Sequence, residues 1–169
     1  IIINIKMLTK EYKVEEISYK RKEDRRILEA VLKTWFKNPK LLNLVSPSLK
    51  YPFSFKEWMK IYSRIHTRSI ILKVNKWIIG HLSIKQNFNS NRIHLFHLVI
   101  DPKHIRQGYG SKLILKAEEI GQYLKVNLVT LNVLSSNEDA LKLYEKLGYK
   151  VNLKKSNKKS FRYEKINYL

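Results

Sequence analysis

Two glycines, Gly108 and Gly110, stand where a strand-like run gives way to a helical one, with basic side chains close by. The segment reads Ile100-Asp101-Pro102-Lys103-His104-Ile105-Arg106-Gln107-Gly108-Tyr109-Gly110-Ser111. Without Cβ atoms the backbone there can come close to a ligand. The helix that follows offers N–H groups without intrahelical partners and the positive end of its dipole. Such a corner suits an anion of the pyrophosphate type, and Lys103, Arg106 and Lys112 add mobile positive charge. A plain helix-entry turn would carry the same letters, so the corner alone leaves both readings open. Leu113 replaces the third glycine of a dinucleotide-binding turn, and no Gly-Lys-Ser/Thr follows, which excludes that fold and the P-loop. The second candidate is Tyr144, on the helical stripe Ala140, Leu143, Tyr144, Leu147. A phenol there can pack, donate a proton, or do both.

The surrounding elements follow from the changing period of apolar residues. Tyr12–Tyr19 reads as a weakly alternating strand. Glu23–Phe36 reads as a helix with Ile27, Val31 and Trp35 on its buried stripe, stopped by Asn38-Pro39. Ser54-x-x-Glu57 opens another helix, bearing Phe55, Trp58, Met59 and Tyr62. Ser69–Val74 and Trp77–Gln86 form a hairpin about Asn75-Lys76. Arg92–Ile100 completes an antiparallel meander. A helix with Leu113, Ala117, Ile120 and Leu124 follows the glycines, then a strand over Leu128–Leu134. The next helix covers Asn137–Leu147, capped by Ser136 and closed by Gly148. Strands at Tyr149–Leu153 and Phe161–Tyr168 flank a basic turn. The expected fold is α/β (α+β): a mixed, mostly antiparallel sheet with about four helices and one βαβ unit. One domain is expected over 1–169, with 1–10 as an extra strand or a disordered lead.

The run from His94 to Tyr149 resembles the GNAT N-acetyltransferases. Their first signature, V-x-P followed by [QR]-x-x-G-x-[GA], corresponds to Ile100-Asp101-Pro102 and Ile105-Arg106-Gln107-Gly108-Tyr109-Gly110. Their second, N-x-x-A-x-x-[LF]-Y-x-x-x-G-[FY], is filled at every fixed position by Asn137 to Tyr149. Ile105 departs from the first pattern, and Arg106 stands beside it to carry the charge. Weakly, the lead-in Leu131-Asn132-Val133-Leu134-Ser135-Ser136-Asn137 is similar to the protein N-terminal acetyltransferase branch.

The resemblance implies acetyl-CoA as cosubstrate and a GNAT fold whose parallel fourth and fifth strands splay apart. Leu98, Val99 and Ile100 would line the pantetheine arm, with Leu98 and Ile100 pairing to it through their backbone. Ile105, Arg106, Gln107, Gly108, Tyr109, Gly110 and Ser111 would hold the pyrophosphate, and Asn137 and Tyr144 would touch the cofactor from the next helix. Tyr144 would protonate the leaving thiolate. His94 falls in the register of the base that some members place on the strand before the glycines, acting through a water. Asn132 occupies the alternative position, where it could orient a water. His97 is expected on the opposite face from His94, because strand side chains alternate. Freeing a lysine amine (pKa ~10.4) at pH 7 costs roughly 4–5 kcal/mol, against roughly 1–1.5 kcal/mol for an α-amine near ~8. So weak a base favours an N-terminal α-amine over an internal lysine. Two alternatives stay open: an acyltransferase acting on aminoacyl-tRNA, and a scaffold that binds acetyl-CoA without turnover.

Composition sets the outer bounds. Hydrophobic content of 44% and charged content of 28% are those of a soluble globular chain. No apolar run approaches the ~18 residues of a membrane span, and no signal peptide is recognisable, so a cytoplasmic location and no membrane partner are expected. With no cysteine, disulfides and thiol catalysis are excluded; no metal site is expected. The net charge is +20, from 34 Lys+Arg against 14 Asp+Glu. Such a field attracts polyanions. A nucleic acid or ribosomal partner would explain it, and so would a coding bias toward Lys, Ile, Asn and Tyr. A monomer and a homodimer are both compatible with the sequence.

Overall fold

The computed structural model describes residues 11–63 and 66–167; the expected extra strand or lead at 1–10 lies outside them. One seven-stranded sheet, ordered β1-β2-β3-β4-β5-β7-β6, carries the described elements. Strand β1 (Tyr12–Ile17) is followed by α1 (Lys22–Trp35), α2 (Pro39–Val45) and α3 (Phe55–Tyr62). Strands β2 (Thr67–Val74), β3 (Trp77–Asn87) and β4 (Arg92–Ile100) form the meander. Then come α4 (Tyr109–Tyr123), β5 (Leu128–Leu134), α5 (Glu138–Lys146), β6 (Lys150–Val151) and β7 (Ser160–Ile166). All pairings are antiparallel except β4 with β5, so β4-α4-β5 is the expected parallel crossover.

Local chemistry explains most of these elements. Asn75 and Lys76 both take positive φ (49° and 73°), the turn whose twist matches a two-residue hairpin. The Ser54 side chain accepts from the Glu57 N–H and starts α3. Gly148 closes α5 at φ +85°. Three readings need correction. Asn38-Pro39 ends α1 but also begins α2: the Asn38 side chain accepts from the N–H groups of Lys40 and Leu41, and Pro39 fills the first turn, where it has no N–H to waste. The described residues therefore hold five α-helices, α2 being the one added to the four read from the sequence. The buried stripe of α1 is Leu28, Leu32 and Trp35, while Ile27 is exposed. Asn137, rather than Ser136, caps α5 by accepting from the Ala140 N–H.

Two core layers sandwich the sheet. On one face α4 and α5 pack through Leu113, Ile114, Ala117 and Tyr144 onto Leu72, Leu82, Ile93, Leu95, Val129 and Leu131. On the other face α1–α3 pack through Leu28, Leu32, Phe36, Leu42 and Trp58 onto Ile71 and Val99. Among the described residues, none from β5, β6 or β7 belongs to that second layer.

Candidate active site

Strands β4 and β5 pair only from Arg92–Leu128 to Leu95–Leu131, then part. The cause lies on the other edge of β4. Ser83 opposes Phe96 and His81 opposes Val99, so two residues of β4, His97 and Leu98, face the single Leu82. This is a β-bulge, which bends the strand that carries the extra residue. His97 sits in it at φ +52°, a conformation L residues seldom adopt. Beyond the bulge, the Asp101 N–H donates to the Ile79 carbonyl of β3 (2.8 Å). Polar groups alternate along a strand, so those of Leu98 and Ile100 point away from β3, toward the side that β5 has left. An extended ligand arm can add there as a strand.

A buried polar network holds the bulge. Trp58 Nε1–H donates to Tyr19 Oη (2.8 Å), whose hydroxyl meets His81 Nε2 (3.0 Å), and His81 Nδ1 meets the His97 carbonyl (3.0 Å). A carbonyl only accepts, so His81 donates from Nδ1 and receives the Tyr19 proton at Nε2. His97 Nδ1 pairs with the Tyr62 hydroxyl (2.8 Å) and Nε2 with the Ser46 hydroxyl (3.0 Å). Tyr62 also bonds Ser83 (2.8 Å), which bonds Ser69 (2.9 Å). The His97 ring stacks on Trp58 at 4.0 Å, and Tyr19 stacks on Tyr62 at 3.9 Å. Burial pulls His81 down to about 4 and, with His81 nearby, His97 to about 3. The expectation that His97 faces away from His94 is wrong, because the bulge breaks the alternation and turns His97 onto the Phe96 side of the sheet.

Helix α4 begins at the carboxyl end of β4, where ligands of open α/β sheets bind. Gly108 precedes it at φ +81°, and the first helical bond, Lys112 N–H to Gly108 O, is 3.2 Å. The N–H groups of Tyr109, Gly110 and Ser111 thus have no intrahelical acceptor. Among the five helices α4 alone has neither a side-chain cap nor an acidic residue in its first turn; α2, capped by Asn38, lacks only the acid. A Cβ on Gly110 would stand 3.3 Å from Leu143 of α5 and 4.0 Å from Ile100 of β4. The glycine lets helix, strand and α5 close around this corner. The donor set, unpaired amides on a positive dipole, fits a diphosphate.

The structure brings some of the other expected residues to this frame and not others. Tyr109 is buried in the α4–α5 layer and Val99 in the α1–α3 layer, so neither side chain is free to meet a ligand; the Tyr109 N–H faces the corner, while the backbone of Val99 pairs with β3. Gln107 and Ile105 are exposed. Arg106, at φ +59°, reaches Asp139 of α5 at 3.6 Å and ties the glycine loop to that helix. Lys112 is drawn away, its ammonium lying 4.2 Å from the Tyr12 ring centroid. Asn137 spends its side-chain oxygen on the α5 cap, leaving its amide N–H₂ for a ligand. Tyr144 is buried against Tyr149 and Tyr163, ring centroids 5.8 and 6.2 Å away. Burial pushes its pKa well above the usual phenol range, so it is protonated at neutral pH. His94 pairs through Nδ1 with Thr130 Oγ1 (2.9 Å), on the still-paired part of β4 and β5. Burial, then Arg162, Arg92 and Lys85, lower it to about 4. Asn132 is exposed, and its Oδ1 accepts from Arg162 Nε (2.7 Å).

Sequence reading missed Tyr19, Ser46, Tyr62, His81, Trp58 as a hydrogen-bond donor, and Arg162. None lies at motif spacing, and the network joins residues 14 to 62 positions apart. Two cavities, about 260 and 630 Å³, open on the β1–β2 side of the sheet and do not reach the β4–β5 opening. Among the described residues no group of His, Asp and Glu could hold a metal ion, and no helix is long and apolar enough to cross a membrane.

Residues 28–149 match the family model described as the Acetyltransferase (GNAT) family. The chain is 26% identical over 130 residues to N-alpha-acetyltransferase 30 of Homo sapiens and of Mus musculus. The match covers 75% of this chain but 36% of those proteins, so the chain spans about a third of their length. Among solved structures, it is similar to spermidine N-acetyltransferase from Vibrio cholerae in complex with CoA and spermine (TM-score 0.71, 18% identity, 92% of this chain and 95% of that one). It is also similar to the ribosomal-protein-S18-alanine N-acetyltransferase from Escherichia coli (TM-score 0.69, 16% identity, 94% and 96%).

Proposed function

We propose, because this chain belongs to the GNAT acetyltransferase family, that it moves an acetyl group from acetyl-CoA to a primary amine, namely the α-amine of a peptide or protein. The carrying observation is the uncapped α4 N-terminus beside the parted strands β4 and β5. The amides of Gln107, Gly108, Gly110 and Ser111 hold the diphosphate, with Arg106 close enough to add charge. The backbone of Leu98 and Ile100 aligns the pantetheine arm. Asn137 offers its side-chain amide from α5. The thioester so delivered supplies an activated acetyl carbon. As the amine nitrogen bonds to the carbonyl carbon and the carbon–sulfur bond breaks, Tyr144, kept protonated by burial, gives its proton to the sulfur, and the proton shed by the nitrogen passes through water to restore the phenol.

Among the described residues no strong base stands at the opening. His94 is neutral but weakly basic, already bonded to Thr130, and works through water at most. Asn132 sits at the rim and can orient that water. The acceptor must therefore arrive readily deprotonated, which supports an α-amine over a lysine. The likeness to enzymes named for N-terminal acetylation points the same way.

The test is calorimetry with CoA, followed by acetyl transfer to a library of free-N-terminus peptides. Heat with CoA and acetylated α-amines are expected. Tyr144→Phe should lower kcat by ~10²-fold or more while leaving CoA affinity intact, because only a proton donor is removed. No heat with CoA overturns the reading.

A further inference from the structure

On the sheet face opposite α4 and α5, the register aligns Lys85 with His94, His94 with Thr130, and Thr130 with Glu164. Arg92 lies two residues before His94 on the same face, and Arg162 two before Glu164, directly opposite Asn132. No described residue of β5 or β7 packs into the α1–α3 layer, and on this part of the face Asn132 is exposed while Lys85, Arg92 and Arg162 are half-buried. Strands ~4.8 Å apart spread its cations over roughly 14 Å from β3 to β7. The one carboxylate on this part of the face among the described residues, Glu164, is already engaged by Asn152 Nδ2 (3.1 Å) and Lys155 Nζ (3.3 Å). Among the described residues none of Lys85, Arg92 and Arg162 forms an ion pair within 4.0 Å. Arg162 is held by its Nε bond to Asn132, which leaves both terminal nitrogens of the guanidinium directed elsewhere. Burial, then the nearby Arg92, oppose its charge, and Glu164 offsets part of that without forming an ion pair. Three cations without ion-pair partners, gathered around a neutral histidine at the rim where β5 leaves β4, outnumber the single carboxylate Glu164 beside them.

We propose that the counter-charge is the acceptor: an acidic peptide N-terminus, whose carboxylates rest on Arg162, Arg92 and Lys85 while its α-amine enters the opening of β4 and β5. The fork of Arg162 matches a carboxylate in two parallel hydrogen bonds. A chain of several residues, rather than a single amino acid, spans cations set this far apart. A polyamine meets like charge along the whole approach. This inference rests on the transferase reading and narrows its substrate class.

The experiment titrates CoA-saturated protein with three decapeptides that differ only at positions two and three, where they carry Asp, Asn or Lys, and with spermidine. The Asp peptide should bind at least ~10-fold more tightly than the Asn peptide at low salt, with the advantage shrinking as salt rises. Lys peptide and spermidine should bind most weakly. Arg162→Gln should remove most of the Asp preference without changing CoA affinity, and Arg162→Lys should restore only part of it. Equal affinities, or a preference for spermidine, overturn the acidic acceptor. Transfer to the Asn peptide and heat with CoA would then still stand, so failure here is distinct from failure of the transferase reading.

Discussion

The two core layers on either side of the sheet are built differently. The α4–α5 layer is nearly all aliphatic and tyrosine, and its one buried carboxylate, Glu118, is closed off by Lys165 (2.9 Å) and the Tyr149 hydroxyl (2.9 Å). The α1–α3 layer is threaded by imidazoles and hydroxyls, from Ser46 through His97 and Tyr62 to Ser69, and from Trp58 through Tyr19 and His81 back to His97. On the first side the chain leaves the backbone amides at the start of α4 without acceptors, an arrangement that needs glycines and tight packing and little else. On the second side side chains set the shape of β4, because His97 must be held in a left-handed bulge. A site made of backbone can be kept by a short motif; a shape made by side chains must be specified contact by contact.

Acid should divide the layers most sharply. His81 and His97 lie in the α1–α3 layer, and their folded values, about 4 and about 3, are below the unfolded ~6.5. A depressed value means the unfolded chain binds more protons between those limits. Stability is therefore full above pH ~6.5 and falls as pH drops toward 4, by on the order of 1 kcal/mol per pH unit for each histidine. Amide exchange followed from pH 7 to 5 should quicken first in α1–α3 and at the bulge. Simultaneous loosening of α4 and α5 would erase the contrast.

Trp58→Ala comes next. Its side chain is fully buried, stacks on His97 and donates to Tyr19. Urea unfolding should show a loss of ~3–5 kcal/mol. A smaller loss would mean the network is not what supports this layer.

The smallest effect is the most specific. His97→Gly and His97→Ala both delete the ring, but glycine accepts φ +52° without steric cost. The glycine variant should be more stable than the alanine variant by ~1 kcal/mol, and it should keep more CoA affinity. Equal behaviour would show that the bulge is not under the strain its backbone angle implies.

Much of this was legible in the letters. The Asn75-Lys76 hairpin, the limits of β4 and β5, the Ser54 cap and the glycine corner all depend on interactions within a few residues. What misled were signals with two local solutions. Asn38-Pro39 can stop one helix or start the next, and the chain does both. Ile27 with Val31 and Leu28 with Leu32 are adjacent stripes of similar apolarity, and only the sheet beneath α1 chose between them. Ser136 and Asn137 can each cap a helix, and the turn out of β5 gave the role to Asn137.

By itself, then, the sequence determined the crossover, the motif pair and the uncapped start of α4, since these rest on backbone geometry that glycine, proline and capping residues encode in place. Only the tertiary structure decided that β4 bulges at His97, that Tyr19, Trp58 and Tyr62 meet there, and that Arg162 joins Arg92 and Lys85 across three strands. Those arrangements depend on register and packing between residues far apart in the chain, and no local period records them.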